Sequence, residues 1–260
     1  MKKISVLLLG SILFLLCGCY EVNEDIVINA DGSGTYNSKM DMGQLLEMIQ
    51  MFGAGDSLMQ EGLDKKIDTV INMGSLSDSM ENLAGPRQEL MKNGSMHMQM
   101  DMNEKLFKVD MHFSYRNMIQ LQDLMSGMGG GNTNGMSQAF KSLFGANAPD
   151  SSTPDVARDP ELDQLKDVYV VKVKNGLISK YIDSAKMKSL MARPEMQQLQ
   201  SMTGAGIEIK YNSTIHLPRP AIKVESPVAT VSDDKKTITF SYNLLDMFEH
   251  PEKFSYKIEY

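Results

Sequence analysis

Met96-His97-Met98-Gln99-Met100-Asp101-Met102 leads through Asn103-Glu104 into a second stretch, Phe107-Lys108-Val109-Asp110-Met111-His112-Phe113-Ser114-Tyr115. Both stretches alternate apolar and polar residues with a period of two, the spacing of a strand with one buried face. A two-residue turn at Asn103-Glu104 sets Met100 opposite Phe107, Met98 opposite Val109 and Met96 opposite Met111. Every apolar pair then falls on one face, and His97 meets Asp110 on the other. A slip of one residue would turn all of these side chains to water, so pattern and register specify the same half-buried antiparallel hairpin.

The surrounding chain repeats the theme. Val22 to Met42 reads as a hairpin: Ile26 and Ile28 alternate with polar neighbours, Asp31-Gly32-Ser33-Gly34 supplies the turn, and Tyr36, Met40 and Met42 resume the period. Asn29 to Thr35 superficially resembles the start of a calcium loop, but its twelfth position is Met40, where a bidentate Glu is needed. Short helices are expected at Gln44 to Phe52, Leu63 to Met73, Pro86 to Lys92 and Asn117 to Met128. Residues 129–160 lose all periodicity and fill with Gly, Asn, Ser and Pro, the composition of a flexible linker or long loop.

Periodicity returns at Val168 to Val173, a β-branched run suited to burial on both faces. Asn175-Gly176 is a two-residue hairpin turn into Leu177 to Tyr181. Asp183 or Ser184 can cap a helix carrying Met187, Leu190, Met191, Leu199 and Met202. Strands are then expected at Ile207 to Leu217, Thr237 to Tyr242 and Phe254 to Tyr260. The fold class is therefore α+β: antiparallel or mixed sheets built from hairpins, with helices packed on one face. It divides into an N-terminal half (19–128), the linker (129–160) and a C-terminal half (161–260), forming either one sheet or two domains.

The first 18 residues read as an address. Lys2 and Lys3 precede an apolar run from Ile4 to Leu16, shorter than the roughly 20 residues of a membrane span, and small residues precede Cys19. Leu16-Cys17-Gly18-Cys19 resembles the lipobox of bacterial lipoproteins, which implies cleavage after residue 18 and acylation of Cys19 by palmitate-type chains. The resemblance implies a cell-envelope location, in the outer membrane and facing the periplasm or surface, with the lipid anchor as the membrane partner. Glu21, Glu24 and Asp25 after the anchor resemble the acidic start of surface-exported lipoproteins of the Bacteroidetes type. From Ile207 to Tyr260, a strand ending in Leu217-Pro218, the turn Asp233-Asp234-Lys235-Lys236 and Thr237-Ile238-Thr239-Phe240 are similar to the C-terminal part of LppM-type lipoproteins. That similarity implies an α+β domain held at a membrane, in a family proposed to bind lipid or glycolipid.

Composition narrows the function. Among 260 residues the net charge is −7, the wrong sign for a nucleic-acid binder. Both cysteines precede residue 20, which removes a disulfide framework or cysteine metal site from the body. The chain has no nucleophile elbow, P-loop, dinucleotide fingerprint or His-Glu-x-x-His motif, and no cofactor is implied. These features favour a non-enzymatic interaction or structural module with a protein partner. One alternative is a binder of lipid or another apolar ligand in a groove lined by methionine, whose soft side chain adapts to varied surfaces. A second is copper binding by Met96, Met98 and Met100, since thioethers select Cu(I). Packing accounts for that run more simply, because 23 methionines serve as filler throughout.

Overall fold

A computed structural model describes residues 20–43, 66–77, 86–101, 103–127, 168–193 and 208–260. The expected signal segment, the helix at Gln44 to Phe52, the linker at 129–160, Cys19 and Met102 lie outside them. The protein is mostly sheet, antiparallel and mixed, and its helices are minor.

The element order is β1 (Tyr20–Ile28), β2 (Gly34–Asp41), β3 (Ile67–Asn72), α1 (Met73–Ser77), α2 (Pro86–Lys92), β4 (Gly94–Asp101), β5 (Leu106–Tyr115) and α3 (Met118–Gly127). It continues with β6 (Tyr169–Lys174), β7 (Leu177–Ile182), α4 (Ser184–Met191), β8 (Ile209–His216), β9 (Lys223–Glu225), β10 (Ala229–Val231), β11 (Thr237–Asn243) and β12 (Tyr256–Glu259). Short 3-10 turns at Leu244–Phe248 and Pro251–Phe254 precede β12. Eight strands form one sheet in the order β10-β11-β8-β1-β2-β5-β4-β3, and four form another in the order β6-β7-β12-β9.

The expected hairpins are present. Met100 pairs with Phe107, Met98 with Val109, Met96 with Met111 and His97 with Asp110. The connection is wider than two residues: pairing stops at Asp101 and Leu106, Asp101 Oδ1 accepts from the backbone N–H of Asn103 and Glu104, and Lys105 takes a left-handed φ of 52°. Asn175-Gly176 is the expected tight turn, with Lys174 paired to Leu177 and Gly176 at φ 82°. Asp183 caps α4 by accepting from the N–H of Ala185 and Lys186.

Two further readings are corrected. Ile67–Asn72 is a strand paired with β4, not part of a helix from Leu63 to Met73. Leu63, Ile67 and Val70 fit a helical stripe, but Ile67, Thr69 and Ile71 fit an alternating one, and the second is satisfied by the Met face of β4. Val168 to Val173 is not buried on both faces, since Lys172 and Lys174 point to water while Val171 and Val173 point inward.

The two sheets share a single hydrophobic cluster. It gathers Ile26, Tyr36, Met96, Met98, Val109, Phe113, Ile215 and Phe240 from the larger sheet with Val171, Ile178, Tyr256 and Ile258 from the smaller. Phe240 of β11 stacks on Tyr256 of β12 with ring centroids 4.4 Å apart, which fixes the contact between layers. Helices α2 and α3 lie against β5, α1 lies against β4, and α3 also packs on β6. The side chain of Gln122 in α3 accepts a hydrogen bond from Val173 N at 3.0 Å and so occupies part of the free edge of β6. Each fully buried Met, Phe or Ile contributes about 1.5–3 kcal/mol relative to exposure.

Gly34 is required by a close approach. A β-carbon there would lie 1.8 Å from the carbonyl oxygen of Val27 and 2.4 Å from Tyr115 Oη, which donates to that same carbonyl at 2.7 Å. Gly34→Ala should therefore cost about 1–3 kcal/mol or more through overpacking, read as a lower urea midpoint with unchanged far-UV dichroism of the folded baseline. A midpoint equal to wild type would contradict this packing.

Candidate functional site

Strand periodicity places a set of polar residues where apolar ones are expected. On β1 the inward positions are Val22, Glu24, Ile26 and Ile28; on β7 they include Ile178 and Lys180; on β8 they are Tyr211, Ser213 and Ile215. Glu24, Lys180 and Ser213 are all buried as a result. Because β1 adjoins β2 and β8, Glu24 sits between Ser38 and Ser213 in register. One of its carboxylate oxygens accepts from Tyr36 Oη and the other from Ser213 Oγ at 2.7 Å.

Lys180 reaches toward this cluster from the smaller sheet. Its Nζ lies 4.5 Å from the ring centre of Tyr169 and 5.8 Å from that of Tyr211, within cation–π range of both. Burial pushes its ammonium below the usual lysine value, and the charge of Glu24 opposes that shift. Among the described residues, no carboxylate lies within ion-pair distance of Lys180. Tyr211 stacks on Tyr242 at 5.1 Å, and Tyr242 packs on Phe254 at 4.4 Å. The Tyr211 hydroxyl is buried without a hydrogen-bond partner among the described residues. Tyr260 shares that condition at a separate place, with the Arg219 guanidinium 5.5 Å over its ring.

The opposite face of the larger sheet is a hydrogen-bonded polar surface. Thr237 Oγ1 lies 3.4 Å from His216 Nδ1, His216 Nε2 lies 3.0 Å from Asp25 Oδ2, Asp25 accepts from Asn37, and Asn37 Oδ1 lies 2.6 Å from His112 Nδ1. This row crosses five strands. Thr237, His216 and Asp25 have the order of a nucleophile, base and orienting acid, but they lie on an open sheet face, with His216 and Asp25 41% and 46% exposed. β8 and β1 are interior strands, each paired on both sides.

The sequence-derived site residues are distributed as follows. Met96, Met98 and Met100 share one face of β4 and are 1%, 0% and 3% exposed within the hydrophobic cluster. His97 lies on the other face. It pairs in register with Asp110 but shares its hydrogen bond with Asp68 of β3, Nε2 to Oδ1 at 2.7 Å, and that contact holds the Asp68 carboxyl below its ordinary value. Asp31, in the turn that superficially resembles a calcium loop, accepts from Ser33 and closes the hairpin. Among the described residues, no three His, Cys, Asp or Glu side chains gather to hold a metal ion.

The Glu24–Lys180–Tyr211 cluster was not anticipated from sequence, although its signal was present. A polar residue in the apolar phase of a strand, as at Glu24, Lys180 and Ser213, marks a buried group that needs a partner. Burial is the first cause of the raised hydroxyl values of Tyr36, Tyr211, Tyr242 and Tyr256, with Glu24 adding to each. In an unfolded chain these groups titrate near 10. Folded values above unfolded ones give stability that is complete below pH 10 and lost as pH rises past it. The protein should therefore unfold steeply above about pH 10, followed by circular dichroism, and Tyr211→Phe should make the transition shallower. Stability that stays flat to pH 12 would contradict burial of these hydroxyls.

No family model, curated protein or solved structure matches the chain.

Proposed function

We propose that this protein is a lipid-anchored, non-catalytic component of a bacterial cell envelope, acting as an interaction or structural module. The observation that carries the reading is the arrangement Lys2-Lys3, apolar Ile4 to Leu16, then Cys17-Gly18-Cys19, joined to a body whose first strand begins at Tyr20. On this reading Cys19 becomes the first residue of the mature protein and carries acyl chains, each CH2 contributing about 0.8 kcal/mol on insertion. The fold reads as an α+β layer arrangement, with helices α1–α3 over one part of the larger sheet and the smaller sheet over the rest.

Two features support a non-catalytic role. The outer histidines His97, His112 and His216 engage Asp68, Asn37 and Asp25 on an open face. The inner methionine face is consumed by packing. Among the described residues, no helix is long and apolar enough to cross a membrane.

Metabolic labelling with an alkynyl palmitate tests the assignment. The wild-type chain should incorporate label and lose its first 18 residues. Cys19→Ala should accumulate as unlabelled precursor, whereas Cys17→Ala should label normally. Label retained in Cys19→Ala, or an intact wild-type precursor without acylation, would overturn the anchoring.

A further inference from the structure

The inner cluster is unbalanced in a specific way. Glu24 is satisfied, each carboxylate oxygen taking one hydroxyl donor, from Tyr36 and Ser213. The Tyr211 hydroxyl is not, and Lys180, like Tyr211 a residue only 5% exposed, has no hydrogen-bond acceptor among the described residues. Among the described residues, no oxygen accepts from Lys180 Nζ, which meets only the ring faces of Tyr169 and Tyr211. The Tyr211 hydroxyl is also without a partner there. A buried donor left unmade costs about 1–3 kcal/mol, and more when charged. Lys180 Nζ lies over the Tyr211 ring, 5.8 Å from its centre, so the unpaired hydroxyl and the ammonium belong to one cluster, and its positive charge favours an anionic acceptor.

We infer that Lys180 Nζ and Tyr211 Oη form a binding site for an oxyanion, a carboxylate or phosphate, held between the two sheets. The ammonium supplies a charge-assisted hydrogen bond, and the tyrosine supplies a second donor. Tyr169 and Tyr242, whose rings meet Lys180 and Tyr211 respectively, are only partly buried, and the Tyr169 hydroxyl donates to Met247 Sδ at 3.1 Å. Glu24 faces the site as a like charge, so its removal favours the anion. The inference is independent of Cys19 and of any membrane.

Titration calorimetry and native mass spectrometry on the purified full chain, in an uncharged maltoside detergent, provide the test. The probes are inorganic phosphate, laurate and dodecanol. Phosphate or laurate should bind at one equivalent, and dodecanol should bind at least about tenfold more weakly than laurate. Phosphate binding as well as laurate identifies a free anion as the ligand, whereas laurate binding alone identifies an anionic head on an apolar chain. Lys180→Met should weaken binding at least about tenfold, Tyr211→Phe should weaken it by about threefold or more, and Glu24→Gln should tighten it. Circular dichroism checks each variant, and Tyr211→Phe decides the matter should Lys180→Met fail to fold. The site is overturned if neither anion binds the folded wild type, if dodecanol binds as well as laurate, or if the folded variants bind as wild type does.

Discussion

The parallel pairing of β1 with β8 is the constraint on which the architecture rests. Tyr20 to Val27 run beside Ile209 to His216, while every other neighbouring pair of strands among the described residues is antiparallel. It joins five strands from the first half of the chain to three from the second. The remainder of the second half can then fold back as β6, β7, β9 and β12 over the same core. Parallel neighbours need a long crossover, and here that crossover comprises nearly everything between β1 and β8. Its closure is entropically demanding but grows only slowly with length, so a large buried cluster can compensate. The expected halves at 19–128 and 161–260 thus contribute strands to one sheet.

That pairing also creates the inner polar cluster. Glu24 on β1 meets Ser213 on β8 only because those strands are adjacent, and Tyr36 completes the set from β2. A buried carboxylate is costly unless fully bonded, so the three hydroxyl-bearing and acidic positions restrict how these strands can slide. The lysine facing them from β7 applies the same restriction between layers.

What the sequence disclosed follows from the range of each interaction. The β4–β5 register was legible because its partners are a few residues apart and a one-residue slip would expose Met96, Met98 and Met100. Asn175-Gly176 was legible because a two-residue turn demands a left-handed glycine. The pairing of β1 with β8 was not, because nothing local to Val22 or Tyr211 encodes a partner nearly 190 positions away. The segment at Ile67 was ambiguous because its apolar residues satisfy both periods, and only β4 decides between them. The inner cluster is not legible from apolar phase, because its information lies in the exceptions to that phase, Glu24 and Lys180. His97 shows the complement: its register with Asp110 follows from the hairpin, but its bond to Asp68 depends on β3, whose residues carry a helical stripe as well.

The start of β1 at Tyr20 has a mechanical consequence under the proposed acylation. A tether usually includes slack, but here the residue after Cys19 already belongs to an interior strand, hydrogen-bonded on both sides. Pulling on the anchor would load the middle of the sheet rather than a loose tail. The globule would stand upright, with the rim formed by Asp41, Lys210 and Asn243 against the head groups. Nine residues of strand span about 30 Å, so the turn at Asn29 to Ser33 would form the outermost tip, roughly that far from the bilayer.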